Sequence, residues 1–592
     1  MADSFWQLTE GASKFCRDCM GSVGKRYDAM TAKSRNVKTK EKIESTTSSS
    51  RCCCFSYRIC SILLLILACV MTGVATVLFT QFDKFFDNAL RDQMHLGPNG
   101  LVFPAWRVSE LRTNMRLYLF NITNPDEVML GDKPILREIG PYTWKIHMDK
   151  FDINFYPNYT LSYRENKWFE FLPDQSVGTY DDIVTTVNVP YAAVAQRLKG
   201  QNSFAKSTAT FTLNGLGQNL MHYRRVGELT FEGYPDFLIL VASAVEKGKE
   251  EESGLGSFLG AGFRFVTNLL VDQNLQGNFG YFIDRNNTDD GVVTIFTGED
   301  ERSKINKVDV VNGRKELTTW PVARCNKITG TMGHLRPPAS GEKPVDVFVP
   351  DLCRSLPLRY ERESMYEGLS TLRFVAGKET FDNSKTDACF AGPRNFSSGV
   401  MDIGPCKKDA PLVVSFPHYL YADDKHLDSV VGMNPKKEKH QFYLESDPLT
   451  GVTVSVRARF QVGVILERVF GLGNLGRIFE GNIPLFWQEL QLEALPPTVF
   501  QLKLLRDLPS YAKQAAVAMV VMAIVTGMIS VFLAHRDWRN GRQMKVVPER
   551  SLPVVEQAYT NHVYENQDEA VRYKVSPVRP QNGTNLPKQV PS

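Results

Sequence analysis

The sequence predicts an α+β membrane protein in which two transmembrane helices flank one large external domain. Two observations carry the helices: Ile59–Phe79 and Ala515–Ala534 are apolar runs without a single charged residue. Each is close to the ~20 residues that an α-helix needs to cross ~30 Å of hydrocarbon. The third observation is what lies between them, roughly 430 mostly polar residues that Gly and Pro divide into short strand-like pieces.

The elements follow in order. Residues 1–58 form a polar cytosolic tail that ends in the Ser/Thr run Ser45–Ser50. Cys16 and Cys19 make a lone C-x-x-C without a second pair or a nearby His, and read as reduced thiols rather than a zinc site. Cys52, Cys53 and Cys54 stand beside the first apolar run, the usual position for S-palmitoylation, and are candidates for it. Tyr27-Asp-Ala-Met30 fits a short endocytic pattern that also arises by chance.

Residues 59–80 are the first transmembrane helix. The run starts too late, is too long and lacks the small-residue cleavage site of a signal peptide, so it is retained. In lipid a backbone must satisfy its own hydrogen bonds, which makes both runs helices. Lys38, Lys40, Lys42, Arg51 and Arg58 precede the first, and Arg536, Arg539, Arg542 and Lys545 follow the second, at residues 514–534. Cytosolic flanks carry the Lys/Arg excess, so residues 1–58 and 535–592 face the cytosol and residues 81–513 face outside or a lumen. The expected location is the plasma membrane, with a lysosomal or endosomal membrane as the alternative.

Composition narrows the function. A net charge of +4 on 592 residues excludes a nucleic-acid binder and is explained by the juxtamembrane clusters. No G-x-S-x-G elbow, H-E-x-x-H helix or P-loop is present, and the chain reads as a non-enzyme without cofactor, catalytic residue or metal site. Gly471-x-Gly473-x-x-Gly476 has dinucleotide-binding spacing, but Pro484 soon interrupts any following helix. Lys436, Lys437, Lys439 and His440 form a basic run that reads as a solvated turn, with attraction of anionic lipid as the alternative.

Within the external domain the order of motifs is the strongest signal. Phe120–Pro125 (FNITNP), Gly131–Pro134 (GDKP) and Glu138-x-Gly-Pro-Tyr142 open it. Glu228-Leu229 with Gly233-Tyr234, Asn286-Asn287-Thr288-x-x-Gly291 and Phe296-Thr297-Gly298 follow. Then come Cys325-Asn326, Gly330-Thr331, Pro337-Pro338, Asp351-x-Cys353-Arg354-Ser355, Gly404-Pro405-Cys406, Phe416–Tyr419, Gly432-x-Asn434-Pro435, Glu445 and Pro448-x-Thr450-Gly451. This ordered set, framed by two terminal spans, resembles the class B scavenger receptor family, which includes fatty-acid, lipoprotein, lysosomal and sensory-neuron membrane proteins.

The resemblance implies an antiparallel β-barrel body with a helical apical cap, at roughly residues 191–266. It implies an apolar tunnel through the barrel, and lipids, fatty acids, sterols or lipoproteins as partners. A protein ligand at the cap and a homo-oligomer are further expectations. From the residues themselves, PYAAVAQRLK, NLMHYRRVGEL and DFLILVASAVEKGKEEE have helical spacing. His222, placed on a cap helix by this reading, is a candidate pH sensor for the alternative function, an endosomal cargo receptor. His418 reads as a structural residue.

Four cysteines of the external domain suggest two disulfides, with three connectivities open. The resemblance implies Cys325–Cys389 and Cys353–Cys406. A further pair that the family often has near Cys389 is absent, which leaves the Asn395 loop less constrained. The sequons Asn121, Asn158, Asn286 and Asn395 face the glycosylating side, whereas Asn582 falls in the cytosolic tail. Two-span ligand-gated channels usually carry many more cysteines, and ecto-nucleotidases need phosphate loops that this chain lacks.

Overall fold

The computed structural model describes residues 57–108, 111–236, 238–239, 277–338, 341–383, 389–390, 394 and 396–543. Cys16, Cys19, Cys52, Cys53, Cys54, Asn395, Asn582 and most of the DFLILV segment of the expected cap lie outside them. The described residues divide into two compact units, one within 69–523 and a second formed by residues 57–68 and 524–543.

Element α1 is Tyr57–Gln93, followed by a short α2, Phe103–Arg107. Long strands β1 (Leu111–Ile122), β2 (Leu136–Tyr156) and β3 (Thr160–Phe171) form a meander, with α3 (Pro125–Leu130) between the first two. An apical insertion holds β4 (Ile183–Val187), α4 (Val189–Leu198), α5 (Ser203–Gly215), β5 (Met221–Arg225) and α6 (Val226–Leu229). Short strands follow: β6 (Tyr234–Pro235), β7 (Asn278–Phe279), β8 (Thr288–Asp289), β9 (Val293–Phe296) and β10 (Val308–Val311). Next come β11 (Val345–Val349), β12 (Arg354–Tyr366), β13 (Leu369–Val375), β14 (Val400–Asp402) and β15 (Leu412–Ser415). The described residues continue through α7 (Asp424–Asp428), α8 (Lys437–His440), β16 (Tyr443–Ser446), β17 (Thr453–Leu466), β18 (Gly481–Ala494) and α9 (Pro496–Gln543).

Among the described residues the main sheet has 14 strands: the path β10-β9-β3-β2-β1-β18-β17-β16-β13-β12-β11, with β8 paired to β3 and β15 to β17 and β14 beside it. Every strand pairing in it is antiparallel. Its centre joins the two ends of the domain, with Leu111 opposite Ala494 and Leu119 opposite Phe486. The outer edges are stitched by one short segment. Gly330 accepts from Val308 N, while Thr331 exchanges backbone hydrogen bonds with Asp346 and Phe348. Edge strands otherwise present unpaired backbone groups, so this stitch nearly closes the sheet into a barrel.

The core follows from strand alternation. On β2, Trp144, Ile146 and Lys150 are buried, while Lys145, Asp149 and Phe151 are exposed, the period of two that a one-sided wall requires. Fully buried Leu117, Trp144, Ile483 and Val464 belong to the largest core cluster. Each such apolar side chain contributes ~1.5–3 kcal/mol relative to exposure. Cys325 is bonded to Cys389 and Cys353 to Cys406, the pairing that the resemblance implies.

Both long helices are apolar enough to cross a membrane, and both outrun their apolar segments. Small residues recur at every seventh position, Ser61, Ala68 and Ala75 on α1 and Ala516, Ala523 and Ser530 on α9, all buried. Seven residues are two helical turns, so each set forms a narrow seam along which backbones approach closely. In the smaller unit Ser530 Oγ donates to the Ser61 carbonyl at 2.6 Å. In the larger unit Lys513 pairs with Asp83 at 2.7 Å.

Candidate functional site

The apical insertion is built on two asparagine caps. Asn188 Oδ1 accepts from Tyr191 N at 3.1 Å and starts α4, with Pro190 in the first turn where its missing N–H costs nothing. Asn202 Oδ1 accepts from Ala205 N at 2.9 Å and starts α5. Helix α4 buries Tyr191, Val194, Ala195 and Leu198 against the barrel. Helix α5 buries only Ala209 and Leu213. Its Thr208, Thr210 and Thr212 hydroxyls each donate to the carbonyl four residues back at 2.9 Å. Its outer face then presents Phe204, 78% exposed, and Phe211, 83% exposed.

The loop after β17 leans on this helix. Gly473 N donates to Thr210 Oγ1 at 3.0 Å, and Lys199 pairs with Glu467 at 3.2 Å. Gly471 and Gly473 have positive φ, which is why this turn needs glycine. The glycines with dinucleotide-like spacing therefore serve a turn and not a strand-to-helix phosphate site. Phe470 in the same loop is 72% exposed. Single exposed apolar residues are ordinary, but three phenylalanines on one helix and its abutting loop are not. Arg197 donates to the Lys408 carbonyl at 3.1 Å on the same side.

Beneath α4 the wall is thin. Ala192, Ala195, Leu220, Ile465, Leu475 and Ile478, together with polar Gln196 and Glu467, surround a space of about 10 Å³, about enough for one water. The small alanines on the helix leave this gap between α4, β17 and the turn.

The inner wall carries a buried charged row. On β2 and β3 the inward pairs descend from Trp144–Phe171 through Met148–Lys167 to Lys150–Glu165. Lys150 Nζ lies 2.9 Å from Glu165 and 5.3 Å from the Trp106 ring centre. Burial alone would raise the Glu165 carboxyl, but Lys150, His334 and Lys167 outweigh it and hold the group at about 2. The row continues outward through Lys167–Asp290 at 2.5 Å, Arg285, Asp351 and Lys407.

His418 belongs to a second cluster. It occupies a left-handed backbone position (φ 56°) and is buried. Its Nε2 lies 2.6 Å from Glu138, which also accepts from Trp487 Nε1 at 2.7 Å. Its Nδ1 accepts from Asn434 N at 3.1 Å, so the FPHY and GxNP motifs are two halves of one joint.

Two expectations are corrected. NLMHYRRVGEL is a helix only in its last turn, since Met221–Arg225 forms strand β5 against β4. His222 therefore sits on a strand, with both ring nitrogens buried and without hydrogen-bond partners. Burial, reinforced by Arg224, lowers its pKa to about 3, so in this buried position the ring stays neutral at endosomal pH. Of the basic run, Lys436 and Lys439 are exposed. Lys437 pairs with Glu361 at 2.7 Å, and buried His440 stacks on His418. Among the described residues no group of three His, Cys, Asp or Glu is placed to hold a metal ion.

Of the sequons, Asn158 and Asn286 are exposed. Asn121 is half-buried, and its Oδ1 accepts from Thr185 N at 2.8 Å, tying β1 to β4.

Comparison with known proteins adds a family model, described as the CD36 family, that matches residues 64–534. Scavenger receptor class B member 1 of Cricetulus griseus is 30% identical over 72% of this chain and 78% of its own length. Lysosome membrane protein 2 of Rattus norvegicus is 29% identical over 82% of this chain and 96% of its own. The Homo sapiens form of the latter is 27% identical over 82% and 95%.

Proposed function

The chain belongs to the CD36 family and is a scavenger-receptor-like membrane protein with two spans; on that premise we propose that it captures lipid or lipoprotein at its apical helices and passes lipid through the barrel to the bilayer. The observation that carries this is the outward set Phe204, Phe211 and Phe470, held by a helix whose own threonines are internally satisfied. Such a surface offers aromatic area and little polar competition to a lipid or lipoprotein. No bond is made or broken. Lipid is moved by burial alone, at ~0.8 kcal/mol per methylene kept from water.

The proposed opening is the alanine-lined gap under α4, closed here to about 10 Å³. Lipid passage then requires α4 and the Phe470 loop to separate. The test is uptake of labelled lipid by cells displaying the full chain. Phe204→Ser with Phe211→Ser should weaken particle binding, and Ala195→Trp should leave binding intact while lowering lipid uptake. Equal uptake by the Trp variant at equal surface level rejects the passage.

Plasma membrane with both tails cytosolic is the proposed location. Glycans at Asn121, Asn158, Asn286 and Asn395, but not Asn582, are part of the same topology. Glycosidase should shift the mass, and removing Asn582 should leave that shift unchanged. Acyl exchange with hydroxylamine should detect palmitate only while Cys52–Cys54 are present.

A second reading, a cargo receptor in a lysosomal or endosomal membrane, is favoured by the match to 96% of a lysosome membrane protein. Apical capture of a protein, unaffected by lipid competitors, distinguishes it.

A further inference from the structure

Helix α9 carries apolar side chains on both its inner and its outer face over its first four turns. Two of its cations reach the domain backbone: Lys503 Nζ donates to the Glu367 carbonyl and Arg506 to the Ser370 carbonyl at 3.2 Å, while beyond them Lys513 pairs with Asp83 at the surface. Four of its large apolar side chains point outward. Phe500 is 66% exposed, Leu504 47%, Leu508 38% and Tyr511 50%. The spacing i, i+4, i+8, i+11 sets them on one stripe, with Gln501 and Asp507 at its margins. A helix beside water buries its apolar stripe and shows its charges. This one buries Val499 and Leu502 as expected, but it also engages cations on that side and shows a second apolar stripe outward.

The neighbouring helix rules out a simple effect of depth. Residues 81–92 of α1 run beside this part of α9, joined to it through Asp83. There Asp83, Lys84, Asp87, Asn88 and Asp92 are exposed, with Phe85 the exception. At this level α1 shows mostly charged and polar side chains, whereas α9 shows an apolar stripe. The stripe also continues without a break through Ala515, Ala518 and Met522 into the apolar span. Its area is on the order of a few hundred Å², below the ~800 Å² per partner of a stable protein interface, and a single acyl chain can cover it.

We infer that the outer stripe Phe500–Leu504–Leu508–Tyr511 of α9 is a lipid rail, a binding surface for the acyl chain or sterol body of lipid moving between the domain and the bilayer. The inference rests on the transport reading above. The stripe lets a chain leave the domain without crossing open water, and Lys503 and Arg506 are already engaged, so no cation competes for its headgroup.

The experiment uses the full chain in cells with a fatty acid that bears a diazirine and an alkyne, delivered on albumin. Brief illumination during delivery should place adducts on the peptide containing residues 500–511. Leu504→Asp and Phe500→Asp should lower uptake by about tenfold at equal surface biotinylation, whereas Asn88→Asp on α1 should not. Uptake by the unaltered chain that is indifferent to both Asp variants, with no adducts on the stripe, overturns the rail alone. No uptake by the unaltered chain overturns the transport reading. Equal labelling by probe preloaded in the bilayer makes the stripe a contact for resident lipid and overturns transit. Covalent dimers from Leu504→Cys under a thiol crosslinker assign the surface to a second copy instead. Should the Asp variants fail to reach the surface, the adduct map of the unaltered chain decides.

Discussion

At the scale of single residues, the buried ionisable groups set how the protein responds to acid and to mutation. Lys150→Met leaves the Glu165 carboxylate inside the wall without its nearest cation and should destabilise the protein by ~3–5 kcal/mol. Adding Glu165→Leu should recover much of that loss, because two apolar side chains no longer need each other's charge. Thermal unfolding of the full chain in nanodiscs reads both. The histidines act with the opposite charge sign. Burial lowers His222 to about 3, His440 to about 3 and His334 to about 4. The unfolded chain, with histidines near 6.5, binds protons first as pH falls, so stability present above pH ~6.5 is lost steadily down to those values. His222→Gln should reduce the loss of unfolding free energy between pH 7 and pH 5 by roughly 2 kcal/mol, and an unchanged slope would show that its ring is not buried in solution. None of these partnerships was legible in the sequence. Lys150 and Glu165 are 15 positions apart in an alternating strand pair, but their wider network reaches to residues 290, 351 and 407, and no local pattern joins those. His418 was legible as structural only because it sits in a recurrent motif.

At the scale of elements, propensity was a good guide where an element packs by its own periodicity. Helix α4 follows from Asn188, Pro190 and an apolar face, and the two spans follow from length and lack of charge. Strand β5 was misread as helix because Met221–Arg225 contains adequate helix formers, and what decides its state is pairing with β4. The same pairing, not the side chain's own preference, buries His222. The long helices show a different gap. Their apolar segments were visible, but their continuation to Gln93 and back to Pro496 was not, since Lys503, Arg506 and Asp507 read as the end of a membrane segment. The seam of small residues yields a direct prediction. Ala75→Leu or Ala516→Leu inserts a bulky side chain where each alanine is at most 1% exposed, and should destabilise by ~1–3 kcal/mol, seen as lowered surface level and melting temperature. Leu substitution at neighbouring exposed Val74 or Val517 should leave both unchanged.

For the whole molecule, the ordered motifs made the family legible before any fold was known, and the two disulfides followed from it. What the motifs do in space was hidden. Gly330-Thr331 is the stitch between the outer strands, and FPHY with GxNP is a joint around Glu138. The centre of the sheet has a further consequence, in time rather than in space. Strand β1 finds its neighbour β18 only after some 380 further residues have been made. At ~5–20 residues per second that wait is on the order of 20–80 s. For that interval the first strand is translocated without one of its two partners, and its apolar face needs a chaperone or β2 alone to shield it. Nascent chains arrested before residue 481 should therefore stay open to protease at β1, and chains released after residue 494 should close quickly. The last strand made completes the middle of the sheet, so maturation of this receptor is gated by the end of its own synthesis.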